Sequence, residues 1–330
     1  MEQRRLGKSG LTTSAIGFGT WEMGGINYGE IDESEAIEAV HSALDNGITL
    51  FDTAAVYGPR FSEILLAKAL GNRRKDIVLV TKVGFRWDDE GNVPAKDASW
   101  ASVTEGTEEC LQRLETDWID LLLIHWPDHK TPTEETIGAL EDLKSVGKIR
   151  EYGVSNYDVP MMETCARYGT IAANQIGYHM FDRRVEAKVF DYCREQDLGF
   201  MGYGTLAFGI LTGAFTPDTT FEPPDWRSQG LIFGDIPTFE REHFLTELRV
   251  VERLKEFAAG SDHTVAQLAI SWVLSRPEVS VALVGARKPS EVEENVAAVD
   301  WRITSGDKAE IDRIFEGDGC RTFVDLPQAT

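Results

Sequence analysis

Short apolar runs, each followed by a polar turn and then an amphipathic stretch, recur along the whole chain. Eight can be counted: SAIGFG (14–19), TLFDT (49–53), IVLVTK (77–82), IDLLLIH (119–125), IREYGVS (149–155), IAANQIG (171–177), LGFMGYG (198–204) and VALVGA (281–286). Most are too continuously apolar for a half-exposed antiparallel sheet, so they read as parallel strands covered on both faces. The stretches between them carry helix signals. Asp32 and Glu35 make a capping-box pair ahead of Ile37, Val40 and Leu44, and Asn46-Gly47 closes that helix. Thr131 reads as an N-cap with Pro132 in the first helical position and Glu134 behind it, before Ile137, Leu140 and Leu143. Ser290, with Val292, Val296 and Val299, marks the last helix. Eight β/α units in about 300 residues predict an α/β protein built as one closed (β/α)8 barrel, the TIM-barrel class, rather than an open doubly wound sheet. The opening RRLGKSGLTTS (4–14) alternates polar and apolar residues around Lys8-Ser9-Gly10, and residues 1–14 are expected to form a hairpin that closes the barrel bottom.

No linker or low-complexity tract interrupts the series, so residues 1–330 read as a single domain. With 42% hydrophobic and 27% charged residues, disorder and collagen are excluded. The formal charge of −22 argues against a reader of nucleic-acid phosphates and against a binder of anionic membranes. An anionic cofactor would therefore need a local basic pocket. Cys110, Cys165, Cys193 and Cys320 are scattered without C-x-x-C spacing, which suits reduced thiols. The N-terminal MEQRRLGKSG has no apolar segment behind it, and no stretch approaches eighteen uninterrupted apolar residues. A soluble, cytoplasmic protein is expected.

In a barrel of this class the strand C-termini meet at one face. Here those ends carry Gly19-Thr20, Asp52, Lys82, His125, Ser155-Asn156, Gln175, Tyr203 and Gly285-Ala286-Arg287, with Tyr57 just past Asp52. Tyr, Lys, Asp and His together are suited to protonating a carbonyl oxygen. Taken singly, each has an ordinary structural use: Tyr57 as a turn aromatic, Lys82 as a solvated strand end, His125 as a core histidine bonded to backbone. His125 and His129 share the i, i+4 spacing of helical metal ligands, but Pro127 between them opposes a helix, so no metal is expected. No G-x-G-x-x-G occurs, which leaves a Rossmann crevice without support.

The motifs GFGTW (17–21), FDTAAVYG (51–58), TK (81–82), LLLIHWPD (121–128), GVSNY (153–157), NQIGYHMFDR (174–183) and GARKPSEVEEN (285–295) resemble those of the aldo-keto reductases over nearly the whole chain. The resemblance implies a barrel oxidoreductase that uses NAD(P)(H), needs no metal, and interconverts carbonyls and alcohols. A phenol of unperturbed pKa about 10 is a poor acid at neutral pH, and an ammonium beside it favours the phenolate. On this reading Tyr57 is the proton donor, Lys82 the ammonium, Asp52 the carboxylate that keeps Lys82 charged, and His125 the group that orients the substrate oxygen. The resemblance further implies that Ser155, Asn156 and Gln175 bond the nicotinamide carboxamide and that Tyr203 stacks on its ring. It places Gly19, Thr20, Trp21, Asp52, Gly204, Leu206, Gly285, Arg287, Glu291, Glu294 and Asn295 along the rest of the cofactor.

At the adenosine end, Arg287 and Lys288 favour NADP(H), and Ser290 opens a helix whose N-terminus can take phosphate oxygens. Several relatives carry an arginine where this chain has Glu291. A carboxylate there repels a 2′-phosphate and leaves NAD(H) open. The Pro-, Gly- and Asp-rich stretch 213–240 follows the strand of Tyr203 and is expected to fold over the cofactor, with Arg227 a contact. Trp21, Tyr57, Phe85, Trp87, His125, Trp126 and Trp226 are candidate walls for a small carbonyl or sugar substrate. Two other readings remain on the same scaffold: an NAD-dependent aldose or alcohol dehydrogenase, and a nucleotide-binding regulatory subunit without turnover. A metal-dependent barrel hydrolase would lack ligands here. Whether the protein is a monomer or a homo-oligomer is not written in these motifs.

Overall fold

The computed structural model describes residues 1–25, 31–58, 60–86, 95–233, 236–320 and 322. A hairpin of β1 (Gln3–Arg5) and β2 (Thr12–Ser14) opens the chain. It is followed by β3 (Ile16–Gly19), α1 (Glu33–Asp45), β4 (Leu50–Asp52), α2 (Phe61–Leu70) and β5 (Val78–Val83). A short second hairpin, β6 (Phe85–Arg86) with β7 (Ala95–Lys96), precedes α3 (Trp100–Arg113) and β8 (Ile119–Ile124). Then come α4 (Thr133–Ser145), β9 (Ile149–Ser155), α5 (Val159–Cys165), β10 (Ala173–Gly177), α6 (Val189–Gln196) and β11 (Gly199–Tyr203). The chain ends with α7 (Arg241–Ala259), α8 (Val265–Leu274), β12 (Val279–Gly285), α9 (Pro289–Ala297) and α10 (Ser305–Gly317). Strands β3, β4, β5, β8, β9, β10, β11 and β12 pair in parallel and close on themselves. These are the eight apolar runs of the sequence, and the fold is the (β/α)8 barrel they predict.

Side chains of a strand alternate between its two faces, so each barrel strand sends every second residue into the lumen. The lumen is filled by Leu50, Val78, Val80, Leu121, Leu123, Ala173, Met201, Val281 and Leu283, a cluster separate from the larger one between strands and helices. Gly17 has to be small. A Cβ there would come within 2.8 Å of Leu283, Leu50 and Val281 side chains. At the floor of the lumen sits Leu6, fully buried, carried by the turn of the N-terminal hairpin. Leu6 N–H bonds Leu11 O at 2.9 Å, Lys8 N–H bonds Asp197 O at 2.8 Å, and the Arg4 guanidinium bonds Val279 O and Leu274 O at 2.8 and 3.0 Å. The hairpin thus plugs the bottom with an apolar side chain and is tied to the barrel rim through backbone carbonyls.

The helix ends differ from the sequence reading in detail. Asp32 caps α1, accepting from Ser34 and Glu35 N–H at 2.8 and 3.1 Å, while Glu35 does not return the bond among the described residues. Thr131 is not the cap of α4. Its hydroxyl donates to Asp128 Oδ2 at 2.6 Å, Pro132 takes the cap position, and the helix begins at Thr133. The cap of α9 is Lys288 with Pro289 in the first turn, so Ser290 lies inside the helix. Nor is α9 the last helix: α10 follows behind a Thr304–Asp307 capping box, a signal present in the sequence. Two helices, α7 and α8, separate β11 from β12. No helix among the described residues is long and apolar enough to cross a membrane.

Leu6→Ala removes the floor of the lumen without touching the opposite end. It is expected to cost about 2–5 kcal/mol in urea unfolding. An unchanged midpoint would show that the hairpin plug carries no stability.

Candidate active site

Period two also builds the roof. Continuing each inward row by one step from the lumen layer gives Gly19, Asp52, Lys82, Ser155, Gln175, Tyr203 and Gly285 at the strand C-termini, with His125 just beyond β8. Register holds these ends level, since Gly285 pairs with Gly19 and Gly19 with Asp52. The structure therefore brings the four proton-handling candidates together. Lys82 Nζ donates to Asp52 Oδ1 at 2.6 Å, to Thr53 O at 2.9 Å and to Tyr57 Oη at 3.1 Å. The other oxygen of Asp52 accepts from Gln175 Nε2 at 2.7 Å, across the barrel mouth. The Tyr57 and His125 rings meet edge to face with centroids 5.8 Å apart.

Lys82 and Asp52 are 1% and 3% exposed. Burial pulls the Lys82 ammonium down from its ordinary value and pushes the Asp52 carboxyl up, and in each case the partner's charge opposes the shift. His125 is lowered well below its ordinary value, first by burial and then by the Lys82 charge. It is a neutral imidazole, with a ring N–H to offer to an oxygen.

Tyr57 lies in a turn five residues past β4, placed by a close backbone crossing. A Cβ on Gly58 would strike Gly24 O, and one on Gly24 would meet Gly58 N at 2.6 Å. Only glycines let the two loops touch and set the phenol above Lys82. A hydroxyl network beneath was not anticipated from sequence. Ser62 Oγ bonds Thr20 Oγ1 at 2.6 Å and Thr53 Oγ1 at 3.1 Å, and Thr20 bonds Asp52 O through both its N–H and its hydroxyl at 3.0 Å. Nothing in the spacing of Ser62 marks it. On the outer face of β5, Thr81 donates to Glu63, itself held by Arg113, each at 2.6 Å.

A cavity of about 1010 Å³ opens over this layer. Every residue expected along the cofactor lines it: Gly19, Thr20, Trp21, Asp52, Ser155, Asn156, Gln175, Tyr203, Gly204, Leu206, Gly285, Arg287, Glu291, Glu294 and Asn295. Of the candidate substrate walls, Trp21, Tyr57, Phe85, His125 and Trp126 line it as well, and Trp87 lies outside the described residues. Trp226 is not in the lining but stacks on Trp21 with ring centroids 5.6 Å apart. Some partners are already engaged. Asn156, in a left-handed conformation, accepts from the Tyr203 hydroxyl at 2.8 Å and donates to His125 O at 3.2 Å, so it locks Tyr203 and His125 in place. Glu291 accepts from Arg287 N–H at 2.8 Å. Lining residues that the sequence reading missed include Glu22, Phe208 and Phe233. Phe233 packs against Trp21, Trp126 and Tyr203, a contact made by chain folding alone.

A family model described as the Aldo/keto reductase family matches residues 15–316. The chain belongs to the aldo/keto reductase family. It is 36% identical over 319 residues to the Bacillus subtilis protein named aldo-keto reductase YhdN, covering 96% of this chain and 94% of that one. It is 32% identical over 321 residues to the NADH-specific methylglyoxal reductase of Escherichia coli, covering 93% and 96%. Among solved structures, the glycerol dehydrogenase AKR11B4 from Gluconobacter oxydans matches with a TM-score of 0.86 at 32% identity, covering 99% and 98%. An aldo-keto reductase from Klebsiella pneumoniae in complex with NADPH matches at 0.74 and 27%, covering 99% and 100%. This aldo/keto reductase is an NAD(P)-dependent oxidoreductase of the carbonyl-reducing kind. The cavity suits that cofactor. It has room for an extended dinucleotide, an aromatic and amide end at Tyr203 and Gln175, and cations at the other end in Arg287 and Lys288.

The buried neutral His125 makes the stability of this aldo/keto reductase pH-dependent. An unfolded histidine takes a proton below a pH of about 6.5, whereas His125 in the fold does not, so its contribution is present above that pH and lost as pH falls. Between pH 7.5 and 5.5, His125→Gln should lose less stability than wild type, by up to about 1 kcal/mol in urea unfolding. Parallel losses would show that His125 is not held neutral.

Proposed function

We propose that the protein reduces uncharged aldehydes or ketones to alcohols, with Tyr57 as the general acid. The observation that carries this reading is the Tyr57 hydroxyl 3.1 Å from an ammonium that is itself fixed by Asp52 at 2.6 Å. The substrate oxygen sits between Tyr57 and His125. When bound, the nicotinamide cofactor supplies the hydride that reaches the carbonyl carbon. Tyr57 gives its hydroxyl proton to the carbonyl oxygen as negative charge develops there, and the phenolate left behind is stabilised by Lys82. In alcohol oxidation the same phenolate takes the proton back. Asp52 keeps Lys82 cationic, since a buried ammonium without a counter-charge gives up its proton. His125, neutral, donates a ring N–H to the substrate oxygen and aligns it.

The walls around that oxygen are Trp21, Phe85, Trp126 and Phe233, which favours uncharged substrates of aliphatic or aryl character. The stretch 213–240 supplies Ala214, Phe215, Arg227 and Phe233 to the cavity lining, in support of a role as its cover. Residues 1–330 are read as one catalytic unit. At the adenosine end, Arg287 makes no side-chain hydrogen bond among the described residues, and Lys288 lies 3.9 Å from Glu291. Two cations so loosely engaged favour NADP(H), with Glu291 limiting the preference. The likeness to a protein named glycerol dehydrogenase supports the oxidising direction as a second reading.

Tyr57→Phe should lower carbonyl reduction by about 10²- to 10⁴-fold while leaving cofactor affinity within about threefold of wild type. A near-normal kcat would remove Tyr57 from the proton-donor role. With NADPH, NADH and both oxidised forms titrated against wild type and Glu291→Gln, the substitution should raise NADPH affinity by about tenfold and NADH affinity little. Equal gains for both would place Glu291 away from the 2′-phosphate. Turnover of an aldehyde, ketone and polyol panel with the same four cofactors decides direction.

A further inference from the structure

Lys82 Nζ has three oxygen partners, and they reach it from two different pieces of chain. Asp52 Oδ1 and Thr53 O stand at the end of β4, whereas Tyr57 Oη comes from the turn that follows. The distance between phenol and ammonium therefore depends on how the Tyr57 turn is held against the end of β4. Ser62, fully buried in the first turn of α2, touches both pieces. Its backbone N–H bonds Tyr57 O at 3.2 Å, beside Phe61 N–H to Gly58 O at 3.0 Å. The first N–H groups of the helix, which have no partner inside it, are thus spent on the Tyr57 turn, and turn and helix start form one unit.

The Ser62 hydroxyl ties that unit to the strand ends. Ser62 Oγ lies 2.6 Å from Thr20 Oγ1, 2.9 Å from Thr20 O and 3.1 Å from Thr53 Oγ1. Each hydroxyl has one proton to give. That of Thr20 goes to Asp52 O at 3.0 Å and that of Ser62 goes to Thr20, so Thr53 donates to Ser62. The three hydroxyls point one way, from the residue whose carbonyl holds Lys82 to the carbonyl of the residue whose carboxylate holds it, and bonds in such a chain polarise one another.

Resting on the reading of Tyr57 as general acid, we propose that Ser62 is a positioning residue for proton transfer: it fixes the Tyr57 turn against Thr53 and Thr20 and so sets the distance from Tyr57 Oη to the Lys82 ammonium. Ser62 is not in the cavity lining, so it acts through Tyr57 and Lys82 and not on the substrate. A phenol held farther from an ammonium gives up its proton less readily.

The test is single-turnover reduction of benzaldehyde by bound NADPH, followed across pH, in wild type, Ser62→Ala, Thr53→Val, Thr136→Val and Tyr57→Phe. Ser62→Ala should slow hydride transfer by about tenfold near neutral pH and move the alkaline limb of the rate profile to higher pH, with NADPH affinity within about twofold of wild type. Thr53→Val should move the limb the same way by less. Thr136→Val, which removes a buried hydroxyl bonded to Ala98 O at 2.8 Å in another part of the fold, should leave rate and limb unchanged whatever it costs in thermal unfolding. A Ser62→Ala limb that coincides with that of wild type, even with a lower melting temperature, would reduce Ser62 to packing and overturn the proposal. Should Ser62→Ala not fold, Thr53→Val decides, and an unmoved limb there overturns it. Wild type that transfers no hydride, or Tyr57→Phe as fast as wild type, would remove the general-acid reading itself. A slow Tyr57→Phe beside an unshifted Ser62→Ala leaves that reading intact and removes only Ser62.

Discussion

An ammonium inside a barrel lumen has to be answered by a negative charge from the barrel itself. Lys82 is almost wholly buried, and an isolated ammonium there would shed its proton. The answer is Asp52, one strand away, whose second oxygen is held by Gln175 from the opposite wall. Truncating either partner would strand the other charge, which costs far more than the pair contributes to stability. The site around it inherits its character from that pair. The phenol of Tyr57 faces a fixed positive charge, and His125 is kept neutral by burial and by the same charge.

The pair in turn depends on barrel closure. Asp52, Lys82 and Gln175 lie on three strands whose ends are level only because parallel register runs unbroken around eight of them. The lumen below is packed with aliphatic side chains and sealed by Leu6, so the polar layer rests on a dry floor. Rigidity of that floor is what turns a short run of strand-end residues into fixed distances.

Along the cavity the character changes from one end to the other. Tyr57 and His125 stand among aromatic walls at one end, whereas Arg287, Lys288 and Glu291 gather charge at the other. For a chain of net charge −22, the few cations placed there count for more than the total. Local arrangement, including the carboxylates set among those cations, governs what the cleft holds.

The strand runs were legible because a doubly covered parallel strand must be continuously apolar, and that is a local property of composition. Their polar termini were legible for the same reason, as breaks in apolar runs. The motifs around Asp52, Tyr57, Lys82 and His125 carried the family. What sequence misjudged was governed by contacts between distant residues. Ser62 joins Thr20 and Thr53 only once α2 lies against the strand ends, and Phe233 reaches Trp21 and Tyr203 only after the long stretch folds back. Glu22 reads in the chain as an ordinary acidic residue after GFGTW, and only the tertiary structure lays it over Gly285 in the cavity wall. Periodicity and residue type thus determined the barrel and which face carries chemistry, since both follow from neighbours along the chain; which charges meet across that face was decided by tertiary structure, because those partners lie on separate elements and meet only when the barrel closes.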